Sequence, residues 1–186
     1  GKLPVDAATM PEIFRASLFR TAGFSANPFF SRAFGLDRGF DVFREIFLEY
    51  GVTTEHVVSV PAEKLTDEAV AWIEENLDAD SFVFIHYLQP HNPYAPPERF
   101  RRVFERGGGS FEPSTKNLLE IDAGRLGVDE RDLAHIKDMY DGNLAYVDSE
   151  IGMLVETLKA LGVYDDSMVV VLSDHGEAFG EHGRFL

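Results

Sequence analysis

Two polar segments of this sequence carry side chains that could bind a metal ion, and each follows an apolar stretch. One reads SDHGEAFGEH and contains Asp174, His175 and His182, and the other reads HYLQPHNPY and contains His86 and His91. A carboxylate beside imidazoles suits zinc, manganese or a related divalent ion better than an all-oxygen calcium cage, and calcium stays open as an alternative. The side-chain types therefore indicate metal chemistry, with Asp174 and His175 as candidate ligands.

Asp174 and His175 are adjacent, which restricts where they can share one ion. Within a strand, successive side chains point to opposite faces of the sheet. The pair must therefore lie in the turn after the apolar stretch, where Gly176 permits unusual backbone angles. A simpler hypothesis is a turn in which Asp174 accepts hydrogen bonds from backbone NH groups and His175 is a surface histidine. The apolar stretch before the pair and the second histidine-containing segment favour the metal hypothesis.

The elements that must position these side chains alternate between strands and helices. The segment SFVFIHYL is almost wholly apolar without alternation, which is typical of a strand covered on both faces in a parallel sheet flanked by helices. TAGFSA and SMVVVL are predicted as further strands, and HVVSV is a candidate strand. Ligands of open α/β sheets gather beyond the carboxyl ends of the strands, where both polar segments lie. The pattern predicts an α/β fold with a mainly parallel sheet.

Capping residues and apolar periodicity predict the main helices. TMPEIFRASLFR has Thr9 and Glu12 at capping-box spacing, and TDEAVAWIEENL is a predicted helix with Thr66 as its cap. The longest helix has apolar residues spaced by three and four between Asp129, its predicted cap, and Gly162, its predicted stop. NPFFSRAFGLDRGFDVF and GGGSFEPSTKN are predicted as irregular loops, with a short helix before the second of them.

Composition narrows the class of protein. The 186 residues suffice for one domain with a sizeable core, and no apolar run approaches the length of a membrane-spanning helix. The sequence contains no cysteine, so neither a disulfide nor a thiolate ligand is available. A net charge of −15 disfavours binding to nucleic acid or to an anionic membrane. A protein this acidic must concentrate positive charge locally to hold an anionic substrate, and a metal ion does so compactly.

Several segments, in the order in which they follow along the chain, resemble segments of the sulfatase family of the alkaline phosphatase-like superfamily. YDGNLAYVDSEIGMLVETLKALGVYDDSMVVVLSDHGEAFGEHG is similar to the family's second metal-binding segment. FVFIHYLQPHNPYAPP resembles its histidine-proline-tyrosine segment, and RTAGFSANPFFSRAFGLDRGFDVF resembles the stretch after the nucleophile helix. The resemblance covers nearly the whole chain and is weakest over residues 100–128. It implies an incomplete α/β fold of the alkaline phosphatase and sulfatase type.

The resemblance also implies roles for individual residues of this sequence. Asp174 and His175 match metal ligands, and His91 matches the histidine that contacts the sulfate or phosphate oxyanion or the leaving oxygen. His182 lies where the loop continues toward the active site, which implies a contact with the substrate. His86 lies inside a strand, where a buried, hydrogen-bonded role is an equal alternative to a functional one.

Other parts of the family's active site do not occur in this sequence. In the family, an aspartate pair near the amino terminus completes the metal site, and a Cys/Ser-x-Pro-x-Arg motif supplies the residue converted to formylglycine. The sequence contains no cysteine and no Ser-x-Pro-x-Arg, and FSANP stands where many arylsulfatases have Gly-Lys-x-His. We therefore expect residues 1–186 to form a single, partial catalytic domain that is inactive alone, with formylglycine elsewhere in the parent protein.

The leading hypothesis is a metal-dependent sulfatase, a sulfuric ester hydrolase that acts on anionic sulfate esters. A second hypothesis is a phosphoryl-ester hydrolase or transferase of the same superfamily, because sulfate and phosphate are nearly isosteric. A third is a non-catalytic homologue that binds sulfated or phosphorylated glycans, which the absent lysine and histidine favour slightly. The alcohol part of the ester, the oligomeric state and the compartment are not predicted.

Overall fold

The computed structural model describes residues 2–52, 60–106, 109–181 and 185, and these residues form two compact units. The first unit comprises Gly1–Leu88 and Glu150–Gly162, and the second comprises Gln89–Ser149 and Val163–Leu186. In the described ranges no helix combines the length and the apolar character that crossing a bilayer requires.

A parallel three-stranded sheet forms the centre of the first unit, in the order β2-β1-β3. Its strands are β1 (Arg20–Ser25), β2 (Val42–Glu45) and β3 (Ser81–His86). Both neighbours run parallel to β1, whose residue Ala22 pairs with Val42 on one side and Val83 on the other. The predicted α/β fold with a parallel sheet flanked by helices is therefore confirmed.

Burial differs between the strands of this sheet. The central strand β1 is buried from its second residue onward, whereas residues 82–86 of β3 are only half-buried. The prediction that SFVFIHYL is covered on both faces is met in part, because Phe82 stacks on Phe14 on one face and Val83 and Ile85 pack against the apolar core on the other. The strand keeps part of its surface in solvent because it lies at an edge of the described sheet, where β1 is its paired neighbour.

Helix α1 (Met10–Ala16) begins with the predicted capping box. The Thr9 hydroxyl accepts a 3.3 Å hydrogen bond from the Glu12 amide, and the Glu12 carboxylate accepts a 2.8 Å bond from the Thr9 amide. The loop before β2 approaches this helix start at Gly39, where a Cβ atom would lie 2.2 Å from the Glu12 nitrogen. Gly39 also has φ +86°, so only glycine fits there without strain.

Helix α2 (Ala62–Glu74) corrects the prediction that Thr66 is a helix cap. The helix begins at Ala62 after Pro61, and Thr66 is fully buried inside it. The Thr66 hydroxyl lies 2.8 Å from the Tyr87 hydroxyl and 3.3 Å from the Ala62 carbonyl. These partners satisfy the buried hydroxyl within the helix, so it does not need a capping role.

The first unit has one apolar core. It joins β1 to α2 and to the short 3₁₀ turn at Ile46–Tyr50, and its buried members are Ala22, Phe24, Ala26, Ile46, Phe47, Val52, Val60, Leu65, Ala69 and Leu88. Helix α1 contacts β1, and α2 contacts β1 and β3, so this core lies against the sheet. The candidate strand HVVSV falls on residues 56–60, nearly all of which lie outside the described residues.

The second unit contains helices α3 (Glu98–Phe104) and α4 (Thr115–Asp122). Helix α3 was predicted and ends slightly earlier than expected, whereas the start of α4 is a correction, because its residues 115–117 were predicted as part of the loop GGGSFEPSTKN. Ser114 begins α4 by accepting a 3.3 Å hydrogen bond from the Asn117 amide. The helix forms because Leu118 and Ile121 enter the second core, which the short polar sequence does not indicate.

Helix α5 (Glu130–Ala160) contributes residues to both units and confirms the predicted long helix. The Asp129 carboxylate accepts hydrogen bonds of 2.8 and 2.9 Å from the Arg131 and Asp132 amides, as the cap prediction requires. Gly162 follows the helix with φ +74°, which ends it. In the second unit, the core comprises Tyr94, Leu118, Ile121, Ile136, Met139 and Phe185.

The predicted strand SMVVVL is absent from the described structure. Residues 167–172 have no strand pairing, and the large apolar side chains among them are 41% to 91% exposed. An extended segment becomes a strand only when its backbone groups bond to a neighbour, and no described segment supplies one. Asp174 and His175 therefore follow an exposed, irregular segment.

Candidate active site

The second unit carries His91 on the loop that precedes α3. The His91 Nδ1 atom lies 2.8 Å from the Asn92 carbonyl oxygen, which can only accept, so Nδ1 carries the proton. Asn92 is buried, and its side-chain oxygen accepts a 2.6 Å hydrogen bond from Thr115 at the start of α4. The loop is thereby attached to a helix, and the Nε2 atom of His91 is left with a lone pair.

Asp174 and His175 lie together on the exposed segment that precedes the chain end. The His175 Nδ1 atom lies 2.7 Å from the Gly176 carbonyl, so this histidine also carries its proton on Nδ1. Its Nε2 atom lies 3.9 Å from Asp174 Oδ1, and that oxygen accepts a 3.1 Å hydrogen bond from the His175 amide. The turn contact expected from the simpler hypothesis is therefore present, and Nε2 can bind a ligand when the ring is neutral.

Local electrostatics favour the charged form of His175. The hydrogen bond to the Gly176 carbonyl, followed by the negative charge of Asp174, raises the pKa of His175 above its ordinary value. The side chains of His175 and Asp174 are 59% and 81% exposed, so solvent and dissolved ions reach both. The pair is thus in contact with water, and the Asp174 carboxylate supplies a negative charge next to the imidazole.

These two segments meet in the second unit. The rings of His91 and His175 have centroids 6.3 Å apart and planes inclined by 76°. The residue predicted to contact the oxyanion therefore lies beside a residue predicted to bind the metal. His182, the other predicted substrate contact, lies outside the described residues. The roles of all four residues remain predictions.

The geometry of the pair is compatible with a shared divalent ion. Ligand atoms about 2.1 Å from one ion lie no more than about 4.2 Å apart, and the Asp174 and His175 atoms are separated by 3.9 Å. A hydrogen bond from the second imidazole nitrogen to a carbonyl is also a usual support for a metal-binding histidine. In the ranges described, however, no group of three or more histidine, cysteine, aspartate or glutamate side chains is placed to hold a metal. By themselves, Asp174 and His175 could supply two ligands of a coordination shell.

A contact not predicted from the sequence lies next to these residues. The Tyr94 hydroxyl donates a 2.9 Å hydrogen bond to the Glu177 carboxylate, and Tyr94 is only 2% exposed. Burial, followed by the Glu177 charge, raises the pKa of Tyr94 far above its ordinary value. The available signals were the tyrosine shortly after His91 and the acid shortly after His175.

His86 lies in the first unit, at the end of β3. Its ring stacks on Phe30, with centroids 5.4 Å apart and planes inclined by 5°. This packing accounts for an aromatic side chain at the half-buried end of the strand, and the role of His86 remains a prediction.

Comparison with known proteins identifies a family that matches the whole chain and individual relatives that match part of it. The family model described as Sulfatase matches residues 1–186. A choline-sulfatase of Rhizobium meliloti (strain 1021) is 26% identical over 114 residues, which are 55% of this chain and 22% of that protein. The match therefore spans about a fifth of that relative.

Solved structures show the same fold. The phosphonate monoester hydrolase of Agrobacterium radiobacter aligns with a TM-score of 0.69 and 19% identity, over 100% of this chain and 50% of that one. A protein solved with its substrate D-glucosamine-2-N,6-O-disulfate aligns with a TM-score of 0.71 and 16% identity, over 100% and 53%. This chain thus spans about half the length of each structure.

Proposed function

The chain belongs to the sulfatase family, and from this membership we propose that it supplies part of the active site of a metal-dependent enzyme that hydrolyses sulfate esters. The observation that carries the proposal is the meeting of Asp174, His175 and His91 on two loops of one unit. Residues 1–186 are then a single, partial catalytic domain. The solved relative that binds a disulfated glucosamine supports a sulfated sugar as one substrate class.

Electrostatics explain why such an enzyme needs these residues. A sulfate ester is an anion, and this chain carries a net charge of −15, so substrate and protein repel each other at long range. When bound, a divalent ion supplies positive charge that offsets this repulsion and lowers the pKa of a nucleophile. Asp174 and His175 are the residues of this chain that would hold such an ion.

His91 is the residue proposed to meet the substrate itself. Its Nδ1 proton is held by the Asn92 carbonyl, so the ring orientation is set before substrate binds. The Nε2 atom can then take up a proton and donate to a sulfate oxygen, or pass that proton to the leaving oxygen. His91 is exposed and lies beside His175, so an ester that approaches the candidate metal ligands can also reach its ring.

The nucleophile is proposed to come from residues other than these 186. Formylglycine arises in this family from a Cys/Ser-x-Pro-x-Arg motif, and the chain contains no cysteine and no Ser-x-Pro-x-Arg. We therefore infer that the 186-residue chain does not turn over sulfate esters by itself. Which metal is bound is left open among calcium, manganese and zinc, because a carboxylate and an imidazole suit each of them.

Phosphoryl transfer is the second candidate. The fold matches that of a phosphonate monoester hydrolase, and a site built for a tetrahedral sulfate accepts a phosphoryl group of nearly the same shape. A third candidate is binding of sulfated glycans without catalysis, which the sequence FSANP favours because it lacks the lysine and histidine usual in arylsulfatases.

The discriminating experiment compares ester substrates on the complete protein that contains this chain. We expect kcat/KM for p-nitrophenyl sulfate to exceed that for p-nitrophenyl phosphate and phenyl phosphonate esters, and His91→Ala to lower it at least about a hundredfold. A higher value for the phosphoryl substrates would favour the second candidate. Binding of a sulfated sugar without turnover of any ester would favour the third.

A further inference from the structure

The segment that carries Asp174 and His175 has almost no packing of its own. Every residue from Asp165 to Gly176 is exposed, so no buried side chain holds the candidate ligands in place. The first half-buried residues after them are 177–179. The position of the ligand pair therefore depends on how those next residues are anchored.

Glu177 provides the polar part of that anchor. Its carboxylate accepts the 2.9 Å hydrogen bond from Tyr94, a residue far away in the sequence that is buried in the second core. A hydrogen bond to a charged group shifts an equilibrium by about tenfold to a hundredfold. The raised pKa of Tyr94 keeps its hydroxyl protonated and able to donate.

Phe179 provides the apolar part of the anchor. Its ring lies 5.0 Å from that of Tyr140 and 6.0 Å from that of Tyr94, and the two tyrosine rings are 5.6 Å apart. Tyr140 belongs to α5, and the amine of Lys137 on the same helix lies 5.8 Å from the Phe179 ring centre. Aromatic pairs in such edge-to-face arrangements stabilise packing beyond simple burial. The segment is thus attached to a rigid helix.

Tyr94 also belongs to the segment that carries His91. Its amide donates a 3.3 Å hydrogen bond to the Pro113 carbonyl, so its backbone is fixed before α4 begins. One residue is therefore bound to the His91 segment through its backbone and to the His175 segment through its hydroxyl. No other contact described between those segments combines a buried donor with a carboxylate.

We propose that Tyr94 is a positioning residue, which fixes the Asp174–His175 segment beside His91 by holding Glu177. The inference deepens the proposed function and rests on it, because it gives Tyr94 a part in assembling that same site. Tyr94 touches neither ester nor metal in this role. It acts on the distance between the two histidine rings.

The test measures that distance without relying on catalysis. In the 186-residue chain, an NMR cross-relaxation signal between the ring protons of His91 and His175 reports on their 6.3 Å centroid separation. Tyr94→Phe removes the hydroxyl and keeps the ring, Glu177→Leu removes the acceptor, and Glu177→Gln keeps an acceptor oxygen. Tyr140→Phe is the matched control, since within the described part of the chain its hydroxyl makes no hydrogen bond.

We expect Tyr94→Phe and Glu177→Leu to weaken the signal more than about twofold and to lower the amide order parameter of His175 from about 0.85 toward 0.6. Glu177→Gln restores most of the signal, and Tyr140→Phe leaves it unchanged. Melting temperatures of all variants show whether a change is local. An unchanged signal in both Tyr94→Phe and Glu177→Leu would overturn the proposal.

A second arm separates this proposal from the proposed function. In the complete protein, Tyr94→Phe should lower kcat/KM for p-nitrophenyl sulfate about tenfold. The value of kcat/KM for Tyr140→Phe should lie within about twofold of that of the unmutated protein. If the ring signal responds as expected and the complete parent protein hydrolyses no sulfate ester, the proposed function fails and the positioning of His175 stands. If hydrolysis is present and Tyr94→Phe changes neither measurement, the positioning role fails alone.

Discussion

His91 and His175 have rings 6.3 Å apart and carry the same protonation pattern, with Nδ1 bound to a backbone carbonyl in each. When each ring is neutral, its Nε2 atom therefore offers a lone pair to a ligand or a proton. A hydrogen bond from Nδ1 to a carbonyl is the usual support of a histidine whose Nε2 atom binds a metal, and here two neighbouring histidines have it. The relationship joins the residue predicted to meet the substrate with one predicted to bind metal.

The first prediction concerns Asp174, the carboxylate that we propose as a metal ligand. Its replacement by alanine should raise the Mn²⁺ concentration that broadens the His175 ring signals by at least about tenfold, because even outer partners of a metal site contribute tenfold to a hundredfold in affinity. The measurement is an NMR titration with Mn²⁺. Asp166→Ala, which removes another exposed carboxylate in the same unit, is the control. An unchanged Mn²⁺ dependence in Asp174→Ala would remove Asp174 from the site.

The second prediction concerns catalysis by the chain alone. The purified 186-residue chain should hydrolyse p-nitrophenyl sulfate no faster than buffer, because it has no cysteine and no Ser-x-Pro-x-Arg from which formylglycine could form. The measurement is the release of p-nitrophenolate over many hours with added Mn²⁺ or Ca²⁺. The idea would be lost if turnover appeared and then vanished in His91→Ala, since that pattern identifies true catalysis by this site.

The third prediction concerns the hydroxyl groups of Thr66, which is buried, and Tyr87, which is half-buried. Their hydroxyls lie 2.8 Å apart, so Thr66→Val leaves the Tyr87 hydroxyl without this partner. We expect the free energy of unfolding to fall by about 0.5–1.5 kcal/mol, the usual net contribution of one hydrogen bond, because the Tyr87 hydroxyl is only half-buried. Urea denaturation measures the change. Thr66→Ser keeps the hydroxyl and should lose less, and a Thr66→Val variant within about 0.5 kcal/mol of the parent would contradict the prediction.

The fourth prediction concerns the pH dependence of stability through Glu68 on α2. The hydrogen bond from Lys64, together with the charges of Lys64 and Arg44, lowers the pKa of Glu68 below 4.5 despite its partial burial. A depressed folded-state pKa stabilises the protein above about pH 4.5, and this contribution disappears as the pH falls through the folded-state value. Glu68→Gln should therefore lower the free energy of unfolding by about 0.5–1 kcal/mol at pH 7 and by less in acid.

Urea denaturation at pH 7 and pH 3.5 tests this dependence. Glu74→Gln is the matched control on the same helix, because Glu74 is exposed and makes no ion pair with any residue in the described ranges. A difference between parent and Glu68→Gln that is equally large at both pH values would show that the ion pairs are not its cause.

Local patterns predicted much of the fold because the forces behind them act over a few residues. The capping box of Thr9 and Glu12 and the cap and stop of α5 at Asp129 and Gly162 all lie where the sequence indicated. Strand β2, by contrast, was not predicted, because VFRE is short and half charged and pairs only through its position beside β1. Local propensity is decisive where a residue satisfies its neighbours' backbone groups.

Long-range contacts account for the errors. Thr66 has the chemistry of a helix cap, and only the nearby Tyr87 hydroxyl shows why it is buried inside α2 instead. The segment SMVVVL has strong β propensity, yet it forms no strand among the described residues because β structure requires a bonded neighbour. Propensity alone does not supply that neighbour.

The sequence by itself determined the α/β class and the sulfatase family, and it indicated Asp174, His175 and His91 as candidate site residues. It could do so because side-chain chemistry and short spacings are written directly in the chain. Only the tertiary structure decided that His91 lies beside His175 and that Tyr94 holds Glu177. Those relationships join residues far apart in the chain. They form because folding brings together side chains that no local sequence pattern pairs.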